Sequence, residues 1–157
     1  MSSCCSDQSC GTSAEICPQC GQMGTTVDPI TLKALLTGEG LRHGIPQNPR
    51  FCGTPSCDVV YFGQSVTFLQ RHLTVPVHAK QPENDAVPVC YCFGHTPASI
   101  REEIARSGKG SAFATISAEV KSGRCACEVR NPKGDCCLGD VLKTERRLMS
   151  EVALIVG

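Results

Sequence analysis

Closely spaced cysteines constrain this chain more than any other feature. Thirteen occur in 157 residues. Ten of them fall in five tight groups: Cys17 with Cys20, Cys52 with Cys57, Cys90 with Cys92, Cys125 with Cys127, and Cys136 with Cys137. Thiols at this density form disulfides, bind metal or do redox work, and the compartment decides which. An odd total leaves one thiol over in any complete disulfide framework. The start, Met1-Ser2-Ser3-Cys4-Cys5-Ser6-Asp7, has neither the basic residues nor the apolar stretch of a secretory leader. The expectation is a cytoplasmic metal protein with reduced thiols.

Composition narrows the class further. With no Trp, five Phe and two Tyr, an aromatic core is thin, and metal is expected to replace part of it. Fifteen basic residues balance fifteen acidic ones, which argues against bulk nucleic-acid binding. No run approaches eighteen apolar residues, so no membrane span is expected.

The pattern along the chain predicts a small, metal-stabilised α+β protein: a zinc-bound β-hairpin unit followed by a small helical domain. Residues 1–15 read as a flexible arm with Cys4, Cys5 and Cys10. Residues 16–73 form the first unit, in which 58–62 and 65–69, separated by Gly63-Gln64, read as a hairpin. Within it, 31–36 predicts a turn or two of helix ended by Gly38. Residues 74–88, with Pro76, Pro82 and Pro88, read as a semi-extended linker. In residues 89–157, Thr96 and Pro97 open a helix over 98–107 that Gly108 stops. A second helix covers 111–122, with Phe113, Ile116 and Val120 on one face and Gly123 at its end. A third runs from Leu138 toward Ile155 on a stripe of Leu138, Val141, Leu142, Leu148, Val152 and Ile155.

Cys17-Pro18-Gln19-Cys20-Gly21 is a C-x2-C knuckle whose tight turn aims two sulfurs at one point, and the C-x4-C turn of Cys52 and Cys57 does the same. Four thiolates suit a closed, tetrahedral structural zinc. The six later sulfurs lie at predicted helix ends, where backbone N–H groups stabilise the net negative charge of an iron–sulfur cluster. A second zinc is the alternative on spacing alone.

Cys90-Tyr91-Cys92-Phe93-Gly94-His95-Thr96, followed by two helices and a late cysteine group, resembles bacterioferritin-associated ferredoxin domains. More of the chain, residues 16–142, resembles the N-terminal domain of the archaeal copper chaperone CopZ. The shared motifs are the knuckle, Phe51-Cys52 through Cys57 to Val59-Val60-Tyr61-Phe62, the Cys-Tyr-Cys motif, and Asn131-Pro132-Lys133-Gly134-Asp135-Cys136-Cys137. The resemblance implies one zinc on Cys17, Cys20, Cys52 and Cys57. It also implies one 2Fe–2S cluster on Cys90, Cys92, Cys127 and Cys137, with Cys125 and Cys136 as reserve ligands. That family also carries a separate copper-binding domain with a C-x-x-C loop, which has no counterpart in these residues. The copper-handling function therefore does not carry over by itself. The Cys4, Cys5 and Cys10 arm is the candidate substitute, since soft thiolates suit Cu(I).

Among other residues, His95 is expected to face solvent before a helix. His72 is a weak alternative zinc ligand, and His43 and His78 have no ligand spacing. Arg124, Arg130 and Lys133 flank the late cysteines as a solvated face. No histidine–acid arrangement or cofactor loop accompanies the thiols, so no enzyme is expected. The expected function is that of a metallochaperone handling copper or another thiophilic metal, with Cu(I) as cargo and the cluster as one-electron centre. Its partners would be a copper-transporting ATPase or other metal acceptor and a redox partner. The competing expectation is a ferredoxin-like electron carrier with no metal-delivery role.

Overall fold

The computed structural model describes residues 13–156; the Cys4, Cys5 and Cys10 arm lies outside them. The first unit is a four-stranded antiparallel sheet in sequential order: β1 (Thr25–Thr26), β2 (Arg50–Phe51), β3 (Val59–Gly63) and β4 (Val66–Leu69). Phe51 pairs with Tyr61 across β2 and β3. Every residue of β3 is buried. A bulge at Val60 breaks the β3–β4 register between the Val59–Leu69 and Tyr61–Phe68 pairs. It places Val60 and Tyr61 together in one core, with Leu32, Phe51 and Phe68. Val59 and Phe62 enter another core with Cys17, Cys52 and Cys57.

The hairpin expected around Gly63-Gln64 is present, but its turn is Gln64-Ser65. Both have positive φ, 46° and 68°, the conformation of a two-residue type I′ loop. Gly63 instead ends β3 opposite Val66, where a Cβ would approach Pro46 to 3.2 Å. The glycine serves a close approach and not the turn.

Helix α1 spans Pro29–Leu35, with Asp28 accepting the Ile30 N–H at 2.9 Å as its cap. Gly38 does not end this helix. It opens a short second one, α2 (Gly38–Arg42), because Thr37 is extended and accepts the Gly40 N–H at 3.1 Å.

The second half is helical. Helix α3 (Pro97–Ser107) begins with the reciprocal cap of Thr96 and Ser99 and ends at left-handed Gly108. Helices α4 (Ala112–Lys121) and α6 (Leu138–Val156) follow, with the single-turn α5 (Cys127–Arg130) between them. Val89, Ile100, Ile104, Ile116, Val141 and Leu148 form one core with Cys90, Cys127 and Cys137. The apolar stripe of α6 outruns this core: Val152 packs against it, whereas Ile155 is 83% exposed.

Segment 74–88, expected as a semi-extended linker, lies packed along the body. Val77 and Val87 are buried, 78–80 form a 3-10 turn, and Asp85 pairs with Arg101. The two halves also touch directly through α1 and α5. No described helix is long and apolar enough to cross a membrane.

The hairpin turn is a weak point, since Gln64 and Ser65 hold a conformation favoured by Asn-Gly. The double substitution Gln64→Asn, Ser65→Gly is expected to stabilise the fold by about 1 kcal/mol, read as a raised midpoint in denaturant unfolding. An unchanged or lowered midpoint would contradict the turn assignment.

Candidate metal centres

The knuckle is built by its backbone. The Gly21 N–H donates to the Cys17 carbonyl at 2.9 Å, the Cys17 N–H donates to the Gln22 carbonyl at 2.8 Å, and Gly21 takes φ 74°. Cys52 directly follows β2, and Cys57 lies two residues before β3. The Cys52 N–H donates to the Val60 carbonyl at 2.8 Å and the Cys57 N–H to the Thr54 carbonyl at 3.2 Å. The sulfurs of Cys17 and Cys57 are 3.8 Å apart, and those of Cys20 and Cys52 are 3.6 Å apart. All four ligand atoms lie within 4.8 Å of one another. A tetrahedral ion with zinc–sulfur bonds of roughly 2.3 Å needs sulfurs about 3.8 Å apart. The donor set therefore fits zinc, and with three of its four cysteines buried it fits a closed structural site.

Two further residues complete this centre, and sequence reasoning missed both. Thr54 Oγ1 lies 3.3 Å from Cys20 Sγ; this contact, with the Gln22 N–H, lowers the Cys20 thiol to about 6. Lys80, buried at 6% exposure, donates from Nζ to the Thr54 carbonyl at 2.8 Å. It thereby ties segment 78–80 to the loop between Cys52 and Cys57. Burial acts the other way on Cys57, pushing its thiol up to about 12, and it also raises Cys17.

His72 is not a ligand. Its Nδ1 is taken up in accepting the Leu69 N–H at 3.0 Å, and the ring is not among the groups that converge with the four sulfurs. His43 is exposed and its ring lies 5.4 Å from that of His72. His78 is half-buried, and burial lowers its pKa. His95 acts through its main chain, its carbonyl accepting the N–H groups of Val89 and Cys90 at 2.9 and 3.2 Å.

A second set of sulfurs gathers in the helical core. The Cys92 and Cys127 sulfurs are 3.7 Å apart, and the Ala126 N–H donates to Cys92 Sγ at 3.2 Å. The neighbouring Cys137 thiol lowers Cys127 and Cys90 to about 6 and about 7 while its own pKa rises. Burial raises Cys92 to about 11. Cys125 is half-buried and Cys136 exposed. Among the described residues, only Cys17, Cys20, Cys52 and Cys57 converge on a single point. Around the second set, Arg124 pairs with Glu119 and Lys133 with Asp140, while Arg130 is exposed.

Comparison with known proteins places this arrangement. The CopZ zinc binding domain model matches residues 14–74, which contain the whole first centre. Over 121 residues the chain is 36% identical to the copper chaperone CopZ of Archaeoglobus fulgidus, covering 77% of this chain and 57% of that protein. The chain thus spans little more than half the length of this relative. The X-ray structure of the Archaeoglobus fulgidus CopZ N-terminal domain matches with a TM-score of 0.68 and 33% identity, over 82% of this chain and 95% of that one. The chain belongs to the CopZ N-terminal domain family. Its centre of Cys17, Cys20, Cys52 and Cys57 is accordingly the metal site of a CopZ-type zinc-binding domain.

In this CopZ-type domain, zinc must displace the protons that burial holds on Cys17 and Cys57, so affinity is expected to fall as pH drops from about 8 to about 6. Thr54→Val removes the group that favours the Cys20 thiolate and is expected to weaken zinc about tenfold at neutral pH. Competition with a chromophoric chelator measures both effects. Equal affinity for variant and wild type would remove Thr54 from the site.

Proposed function

We propose that this domain holds a 2Fe–2S cluster on Cys90, Cys92, Cys127 and Cys137 beside its zinc, and serves as a metallochaperone-like protein for copper or another thiophilic metal. The observation that carries the cluster is the way its sulfurs are arranged. Cys92 and Cys127 stand 3.7 Å apart, and Cys90, Cys127 and Cys137 share one buried core, yet these thiols do not converge on one point as the zinc ligands do. Two irons need such a spread, two sulfurs for each iron; one zinc needs convergence.

When bound, such a cluster supplies one electron at a time. The chain's own part is to keep the sulfurs in a water-poor core and to place N–H donors on them, as Ala126 does on Cys92. In this reading Cu(II) gains one electron and leaves as Cu(I), and a redox partner resupplies that electron. Cu(I) then passes to a metal acceptor such as a copper-transporting ATPase, the class that the chaperone relative makes natural. The cargo site falls to Cys4, Cys5 and Cys10. The domain is a binding and electron-transfer protein, not an enzyme. Its reading as a cytoplasmic protein rests on its ten described cysteines, all free thiols.

Anaerobically purified protein is expected to be brown, with sulfur-to-iron bands that bleach on reduction. Cys92→Ser is expected to lose those bands and Cys136→Ser to keep them. A colourless protein that stays iron-free after reconstitution would refute the cluster. Replacing Cys4, Cys5 and Cys10 with Ser is expected to abolish tight Cu(I) binding, measured by chelator competition. Unchanged Cu(I) binding would remove the arm's role, and absence of Cu(I) binding in the wild type would leave the electron carrier.

A further inference from the structure

The segment carrying Cys127 and Cys137 leans on the zinc unit. Tyr61, fully buried on β3, donates its hydroxyl to the Pro132 carbonyl at 2.5 Å. Thr31, fully buried in α1, donates to the Glu128 carbonyl at 2.6 Å. Gly134 has φ 72°, and a Cβ there would stand 2.6 Å from Val27 Cγ2 and 3.0 Å from Thr31 Oγ1. Within the segment, the Asn131 side-chain amide donates to the Asp135 carbonyl at 2.8 Å and its Oδ1 accepts the Lys133 N–H at 3.1 Å. The Gly134 N–H donates to the Asn131 carbonyl at 2.7 Å. The loop is therefore tied into one piece up to the residue before Cys136.

At its other end, the same β3 strand is anchored by zinc ligands. Cys57 leads into it, the Cys52 N–H donates to Val60, and Phe51, next to Cys52, pairs with Tyr61. A short covalent and hydrogen-bonded path thus joins the first centre to the loop that holds Cys137. Burial keeps the Tyr61 hydroxyl protonated, and so a donor, well above its ordinary range.

We propose that the zinc unit is the template on which the second sulfur group is assembled. Tyr61, Thr31 and Gly134 are positioning residues that set Cys127 and Cys137 against Cys90 and Cys92, and the dependence runs one way, from zinc to cluster. This rests on reading the second group as the cluster site. The direction follows from where the ligands lie. All four zinc ligands fall within residues 17–57, and the hydrogen bonds described for them come from residues 17–80. Two of the four cluster ligands lie on a segment that the zinc unit holds.

The test uses the full chain, prepared without oxygen, with zinc and iron content, visible circular dichroism of the oxidised cluster and iron release to a chelator as readouts. Tyr61→Phe keeps the ring and deletes one buried hydrogen bond. It is expected to retain one zinc per chain, to release iron about fivefold faster and to alter the visible dichroism, which reports sulfur-ligand geometry. Gly134→Ala is expected to lose most of its cluster while keeping zinc. Cys92→Ser is expected to lose the cluster and keep zinc. Tyr61→Phe and Gly134→Ala with wild-type dichroism and iron release would overturn the positioning role. Loss of zinc from Cys92→Ser would overturn the one-way dependence. A wild-type chain that takes up no iron would overturn the cluster reading and this proposal together, whereas a loaded wild type beside indifferent variants overturns the proposal alone.

Discussion

Four thiols converging on one point tie together a sheet whose apolar core covers only part of it. Strands β1 and β2 are two residues each, far below the length at which pairing alone is stable. The convergence ties the knuckle at Cys17 to the end of β2 through Cys52 and to the start of β3 through Cys57. It thereby fixes the β2–β3 register, in which Phe51 meets Tyr61. Zinc bound to thiolates in small peptides contributes about 10–16 kcal/mol of folding energy, more than most domains retain in net stability. The metal is best counted as part of this unit's core, beside Val59 and Phe62.

The second sulfur group has the opposite relation to its surroundings. Cys90, Cys127 and Cys137 sit in an aliphatic core contributed by α3, α4 and α6, which has its own caps and packing. Here the helices supply the framework and the thiols are guests within it. Burial makes bare charge costly there. An N–H donor such as that of Ala126 on Cys92 relieves part of that cost. One chain thus contains a metal site that makes its own fold and a group of thiols that borrows one.

This difference also governs what could be read from the sequence. The long helices announced themselves through Thr96 and Pro97, the stops at Gly108 and Gly123, and the α6 stripe, because each has enough residues to show a period. Strands of two residues and the four-residue α5 show none. Gly38 and Gly63 misled for a common reason: a glycine marks a special backbone position without saying which, here a helix start and a close approach to Pro46. The zinc ligands were legible because C-x2-C and C-x4-C turns are local. Spacing alone does not separate Cys136 from Cys137. Their difference is orientation: the Cys137 carbonyl accepts the Val141 N–H, so Cys137 enters the first turn of α6 facing the core while its neighbour faces out. Thr54 and Lys80 were invisible because Lys80 reaches its partner across 26 residues, as Tyr61 does across 71.

The bulge at Val60 links these observations. Strict alternation along β3 would put Val59, Tyr61 and Gly63 on one face, and Val60 with Phe62 on the other. Tyr61 would then point with Val59 into the sulfur core, and its hydroxyl would have no route to Pro132. One extra residue reverses that parity after Val59. Val59 and Phe62 stay with the thiols, and Tyr61 turns with Val60 into the core of Leu32, Phe51 and Phe68, from which its hydroxyl reaches Pro132. A strand buried on both faces carries no polar–apolar alternation to reveal such a step, so the bulge leaves no trace in Val59-Val60-Tyr61-Phe62. The Tyr61 contact between the zinc unit and the helical half therefore depends on an irregularity placed three residues after Cys57.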